Sequence, residues 1–209
     1  MSGGAVPPQG CFIAFEGGEA CGQSTQAARL AEALGAVLTH EPGGTAIGAR
    51  VRALVLDPAT EGLADRAEAL LMAADRAQHV AEVVAPALAA GRHVVTDRFA
   101  GSSIAYQGSG RGLPVEDVRR ISEWATDGVW PDLVVLLEVP AEVAEARLGR
   151  SRDRMEAEPA AFHRSVLDGF RAQAEAEPRR WAVVDGTGTV EEVEAAVRRV
   201  VAERLQLAP

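Results

Sequence analysis

Two periods of hydrophobicity run through the chain. Short apolar runs rich in β-branched and aromatic residues, CFIAF (11–15), AVLTH (36–40), HVVTD (93–97), LVVLLEV (133–139) and WAVVD (181–185), read as strands. The run at 133–139 is apolar almost throughout, as expected of a strand covered on both faces. Segments with helical spacing lie between them. A helix is predicted from about Ser24 to a C-terminal Gly35, and another from Ile47 to Leu56, ending before Asp57-Pro58 because a residue ahead of proline resists helical geometry. Asp65 to Ala90 reads as one long helix, interrupted at most by Pro86 and capped by Gly91. Further helices are predicted over Pro114–Thr126, Ala141 to about Arg150, Pro159 to about Glu177 and Val190–Leu205. Five strands alternating with helices imply an α/β fold: a five-stranded parallel sheet with helices on both faces. Residues 11–209 read as a single domain, after a lead (1–10) expected to be disordered.

Composition narrows the partners. With 47% hydrophobic and 24% charged residues the chain has the balance of a globular protein, and no apolar run approaches the roughly 18 residues that span a bilayer. The first ten residues lack the basic and apolar stretches of a secretory signal, so a cytoplasmic location is expected. The net charge is -9 and no basic cluster stands out, which argues against nucleic acid or a membrane surface as partner. Cys11 and Cys21 lack metal-ligand spacing. Cys11 opens a buried strand, whereas Cys21 sits ahead of a helix N-terminus, where a thiol pKa can fall. All 21 basic residues are arginine, so lysine is absent from the whole chain. A missing lysine at any one position is therefore part of a chain-wide pattern and need not be a local lesion.

The stretch GGEACGQST (17–25) follows the first strand and opens the first helix. Its spacing is that of G-x-x-x-x-G-K-[ST], in which glycines let backbone N–H groups converge on phosphate oxygens at a helix N-terminus. Gly17 and Gly22 hold the glycine positions and Ser24 stands where a hydroxyl would hold Mg²⁺, but Gln23 replaces the lysine. An amide donates to phosphate without bringing charge. Hydrogen bonds to a charged group contribute about 1.5–3 kcal/mol against about 1 for a neutral pair, so the exchange alone slows transfer on the order of tenfold. It predicts a slower enzyme, not a dead one.

Three further stretches, HEPGGTAIGARVRALVLD (40–57), LLMAADRAQHV (70–80) and TDRFAGSSIAYQGSGRGL (96–113), come after FEGGEACGQST in order. Together they make the chain resemble the thymidylate kinases over nearly its whole length from Cys11. The resemblance implies a P-loop nucleoside monophosphate kinase fold and transfer of the ATP γ-phosphoryl to dTMP with Mg²⁺, in a homodimer. Gly17, Gly18, Glu19, Ala20, Cys21, Gly22, Gln23, Ser24 and Thr25 would bind ATP. Ser24 and Asp97 would serve the metal, and Arg98 would hold the acceptor phosphate together with Arg52. Arg76 matches an arginine that hydrogen-bonds thymine, and Met72 the position stacked on it. Ser102, Ser103, Tyr106 and Gln107 match the nucleoside segment, the tyrosine favouring a 2′-deoxy sugar, and Glu19 an acid facing that sugar and the metal–phosphate centre. The stretch RLGRSRDRMEAEPAAF resembles a short lid, about residues 147–160, that supplies an arginine to the transferring phosphoryl when the loop has none. That role falls to Arg150, Arg152 or Arg154.

Three departures keep rivals open. Gln23 and His40 replace fixed positive charges, and Met72 replaces an aromatic ring with a flexible thioether. Met72 leaves room for a kinase of another or modified pyrimidine deoxynucleotide. Gln23 leaves room for a catalytically impaired nucleotide-binding protein.

Overall fold

A computed structural model describes residues 10–148 and 152–209. Five parallel strands, β1 (Phe12–Gly17), β2 (Val37–His40), β3 (Val94–Asp97), β4 (Leu133–Glu138) and β5 (Trp181–Asp185), form one sheet in the order β2-β3-β1-β4-β5. The pairing sets Phe15 beside Asp97, and Asp97 beside His40, so three adjacent strands finish at one edge.

The pleat divides the core in two. Ile13, Phe15, Val135 and Leu137 face α1 (Gln23–Leu34) and α9 (Val190–Leu205), through Ala27, Leu30, Val193 and Val197. Phe12, Ala14, Val134 and Leu136 face the opposite layer, where Phe99, Tyr106, Phe162 and Phe170 close the core. Phe12 and Phe99 meet edge to face with ring centroids 4.9 Å apart. No helix among the described residues is long and apolar enough to cross a membrane.

Three elements beside the site are α2 (Ala46–Leu56), α3 (Asp65–His79) and α6 (Val115–Thr126). The predicted helix over 65–90 is α3, a π-helical turn at Val80–Val84, and α4 (Ala85–Ala89). The π turn lies just ahead of Pro86, which has no N–H to continue an α-helical ladder. The stretch after Arg98, with no element assigned from sequence, folds as α5 (Ala100–Ser103) and a π-helical turn at Ile104–Gly110. Then come α7 (Ala141–Arg147), shorter than predicted, and α8 (Ala160–Ala176). Residues 1–9 of the expected disordered lead lie outside the described residues; Gly10 is buried, and a Cβ added there would lie 2.0 Å from the Arg92 carbonyl oxygen.

Candidate active site

A cleft of about 670 Å³ opens at the carboxyl ends of the strands, where parallel sheets bind ligands. The loop after β1 forms one wall. Gly22, at φ 95°, turns the chain into α1 as its N-cap, a left-handed conformation that favours glycine. Glu19 to Thr25 all line the cleft, while the expected Gly17 and Gly18 are not part of its lining. The Ser24 hydroxyl donates to Asp97 Oδ2 at 2.5 Å. Asp97 Oδ1 is buried without a partner among the described residues. A hydroxyl and an unsatisfied carboxylate oxygen at a phosphate loop are hard oxygen donors suited to Mg²⁺, which takes few protein ligands and completes its shell from water and phosphate. Among the described residues no group of three or more His, Cys, Asp or Glu side chains forms a separate metal cage.

Arg98 is the hinge between this wall and the next. Its φ of 67° is left-handed, a strained state for arginine held by its surroundings. Its Nη1 donates to the Gly17 carbonyl at 2.9 Å and to Ser102 Oγ at 3.1 Å, and its Nη2 reaches Glu19 at 3.4 Å. The Tyr106 hydroxyl donates to the other Glu19 oxygen, and the Arg98 guanidinium lies 5.3 Å from the Tyr106 ring centroid. Burial drives the Tyr106 pKa well above its ordinary value, Arg98 opposing and Glu19 adding, so the phenol remains a donor. Ser102 in turn donates to the buried Glu16 carboxylate at 2.6 Å, which also accepts the Phe99 and Ser102 amides. Glu16 thus fixes the turn that carries Arg98.

Arg76, only 2% exposed, donates from Nε to Glu41 at 2.9 Å, from Nη1 to Ser122, and from Nη2 to Ser103 and the Phe99 carbonyl. Glu41 also pairs with His79, whose other ring nitrogen meets Thr39. Gln107 donates to Glu68 at 3.0 Å, which leaves its buried Oε1 without a partner among the described residues. Met72 lines the cleft beside these groups, and exposed Arg52 lies at its mouth, bonded to the Pro42 carbonyl. The His40 pKa is lowered, by burial first and Arg52 second, so this histidine adds no fixed charge at neutral pH. Asp75 accepts the Gly43 amide, and burial followed by Glu41 pushes its pKa up to about 6.

The lid arginines separate. Arg150 lies outside the described residues. Arg152 is paired with Glu145 away from the cleft. Arg154 is tied to Glu68 and to the Val55 carbonyl, 2.7 Å from its Nε, and does not line the cleft either. The described lid-side arginine that does is Arg147, at the last position of α7, with Nη2 on the Gly186 carbonyl at 3.1 Å. The lowered thiol pKa expected of Cys21 is also corrected: burial pushes it up to about 11, with Arg98 opposing. Sequence reasoning missed Arg147, Glu16, Glu41, Glu68, Asp75 and His79. One signal was available. Glu68, Asp75, Arg76 and His79 fall at helical spacing along α3, on the face that also carries Ala69 and Ala73.

A glycine loop between β1 and α1, an acid at the end of β3 and an arginine-lined cleft opposite define a P-loop nucleoside monophosphate kinase fold. The family model "Thymidylate kinase" matches residues 15–197. A thymidylate kinase from Leifsonia xyli subsp. xyli (strain CTCB07) is 50% identical over 197 residues, covering 90% of this chain and 93% of that protein. One from Synechococcus sp. (strain JA-2-3B'a(2-13)) is 48% identical over 204 residues, 94% of this chain and 97% of that protein. The crystal structure of thymidylate kinase from Ehrlichia chaffeensis superposes with a TM-score of 0.77 at 30% identity, covering 93% of this chain and all of that one. The chain belongs to the thymidylate kinase family.

Proposed function

We infer that the chain is an ATP:dTMP phosphotransferase that makes dTDP by direct in-line transfer. The observation that carries this reading is the union, in one cleft, of the phosphate loop with its Ser24–Asp97 pair and an acceptor wall of Arg98, Arg76, Tyr106 and Gln107. In-line transfer asks little covalent chemistry of the protein; it asks for positioning and positive potential. Glu19 to Thr25 bind the ATP phosphates at the start of α1. Ser24 and Asp97 hold Mg²⁺, which neutralises charge on the phosphoryl oxygens when bound. Arg98 and Arg52 grip the acceptor phosphate. Met72 covers the base that Arg76 and Gln107 read, and Tyr106 with Glu19 crowds the sugar. Arg147 takes the lid-side role. Exposed Leu54 on α2, Leu70 on α3 and Trp124 on α6, the last 84% exposed, support a homodimer through this helical face. A cytoplasmic location suits a small-molecule kinase with no membrane-spanning helix among its described residues.

The test is an ADP-release assay with dTMP, dUMP, dCMP and UMP as acceptors. Turnover with dTMP above the others is expected. Preference for another acceptor would replace dTMP in this reading. ATP binding without ADP release would make the chain a nucleotide-binding protein.

A further inference from the structure

The phosphate loop of this chain solves a problem of orientation. Gln23 is 7% exposed and lines the cleft. Its Oε1 accepts from the Cys21 thiol at 3.3 Å, a contact buried on both sides. Among the described residues the one hydrogen bond of its side-chain amide is this one, made at Oε1 and not at Nε2. The pair is tucked beneath the loop: a Cβ built on Gly17 would lie 2.6 Å from Cys21 Sγ, 2.7 Å from the Leu137 carbonyl oxygen and 3.5 Å from Gln23 Oε1. Only glycine at position 17 leaves room for the pair.

A primary amide is ambivalent. One end donates two hydrogen bonds and the other only accepts. A phosphate oxygen welcomes the first and repels the second, so an unguided glutamine would spend part of its time facing phosphate the wrong way round. A lysine has no such ambiguity. The thiol removes it here. Burial keeps Cys21 protonated through the neutral range, so Sγ offers a hydrogen and needs an acceptor. Oε1 therefore turns to the sulfur and Nε2 is left for the cleft.

We propose that Cys21 is a positioning residue for phosphoryl transfer: its thiol locks the Gln23 amide with the N–H groups toward the phosphates of the donor nucleotide. A neutral pair thereby supplies directed hydrogen bonding at a position where charge is otherwise used. This rests on the reading that the loop takes ATP.

The test compares the full chain with Cys21→Ala, Cys21→Ser, Gln23→Ala and the Cys21→Ala/Gln23→Ala double variant. Calorimetric titration with ATP gives affinity, and the kinase assay gives KM for ATP, KM for dTMP and kcat. Loss of one buried neutral hydrogen bond corresponds to about threefold to tenfold in affinity. Cys21→Ala is expected to weaken ATP by that factor with KM for dTMP within about twofold of the parent. Cys21→Ser, which keeps a donor, recovers most of the loss. The double variant is no worse than Gln23→Ala alone, because the thiol acts only through the amide. A loosened fold would move both substrates' constants together, so the split between them reads the pair even if a variant melts earlier. Parental ATP affinity in Cys21→Ala, or additive losses in the double variant, would overturn the proposal. A parent chain that binds no ATP would overturn the reading beneath it, a result recognisable before any variant is made.

Discussion

Glu68 is the residue whose loss should be felt most widely. It is fully buried on α3. Its carboxylate accepts Arg111 at 3.2 and 3.1 Å, Gln107 at 3.0 Å, and Arg154 from the lid. Glu68→Ala leaves Arg111 with Glu158 at 2.5 Å, but leaves Arg154, 15% exposed, with the Val55 carbonyl and no carboxylate among the described residues. Breaking a buried pair costs about 3–5 kcal/mol when one charge is stranded. Arg111 keeps a partner, so the lower end, about 3 kcal/mol, is expected here. For a chain of this length each kcal/mol moves Tm by about 2–4 °C, which gives a fall of about 6–12 °C. Thermal denaturation at neutral pH, without nucleotide, measures it. Glu68→Gln keeps the volume and should lose about half as much. Arg152→Ala is the control: its pair with Glu145 is exposed on both sides, and such pairs contribute under about 1 kcal/mol. Burial pushes the Glu68 pKa up, but hydrogen bonds from Arg111, Gln107 and Arg154 bring it below its ordinary value. Its contribution is thus present above the unfolded carboxylate pKa and lost as pH falls through the folded one, so Glu68→Gln should flatten the acid limb of the stability curve. A Glu68→Ala melting point within 2 °C of the parent would refute the claim that this carboxylate ties Arg154, Arg111 and Gln107 to α3.

Glu16 has the opposite sign: burial raises its pKa from 4.5 to about 7, against hydrogen bonds from Ser102. The folded state holds a proton that the unfolded chain has released, so stability falls as pH rises from 4.5 to about 7, by of order 3 kcal/mol. Glu16→Gln should abolish that slope in urea titrations at several pH values; an unchanged slope would refute the assignment. Asp97→Asn should lower kcat at least about a hundredfold, and Ser24→Ala should raise the Mg²⁺ concentration needed for half-maximal rate. A metal titration reads both, and parental behaviour in the two would remove them from the metal site. Gln23→Lys should raise kcat/KM for ATP by less than about tenfold, because the rest of the loop is built around a neutral pair. A gain of several orders of magnitude would show that the chain lacks only its lysine.

The sheet was readable because its strands are apolar on both faces and end in chemistry: Asp97 and His40 close their runs as the register requires. Helix ends were legible within a few residues where proline or glycine marked them, as at Gly35 and Pro114. The segment from Ala100 to Gly110 was not. Its three glycines and three serines carry weak helix propensity, and tertiary packing overrides it by seating the segment against α6 and α8. Arg98, Ser102, Ser103, Tyr106 and Gln107 could be named together because they fall on one short stretch, whereas Arg52, Met72 and Arg76 come from two earlier ones. Their supports were missed because Glu16, Glu41 and Glu68 act across separations of about 35 to 86 residues.

The arginine-rich stretch from Arg147 to Arg154 shows the limit most sharply. A run of arginines tells how much positive charge is present, but not how much is already spoken for. Arg154, in the best-matching stretch, is claimed by a carboxylate 86 residues away, and Arg152 by one seven residues away. Arg147, the last residue of α7, lines the cleft and is held by the Gly186 carbonyl, with no carboxylate paired to it among the described residues. The cleft lining then carries Arg52, Arg76, Arg98 and Arg147 against Glu19, Glu41, Asp75, Asp97, Asp153 and Glu156. Arg76 is already bound to Glu41 and Arg98 to Glu19. Among the described residues, arginine alone therefore does not give this cleft a surplus of positive charge for two phosphorylated substrates. On the function proposed above, the deficit left by Gln23 would fall on a divalent cation held by Ser24 and Asp97. For that reason the metal titration of the Ser24 variant should be steeper in effect than any single substitution among the lid arginines.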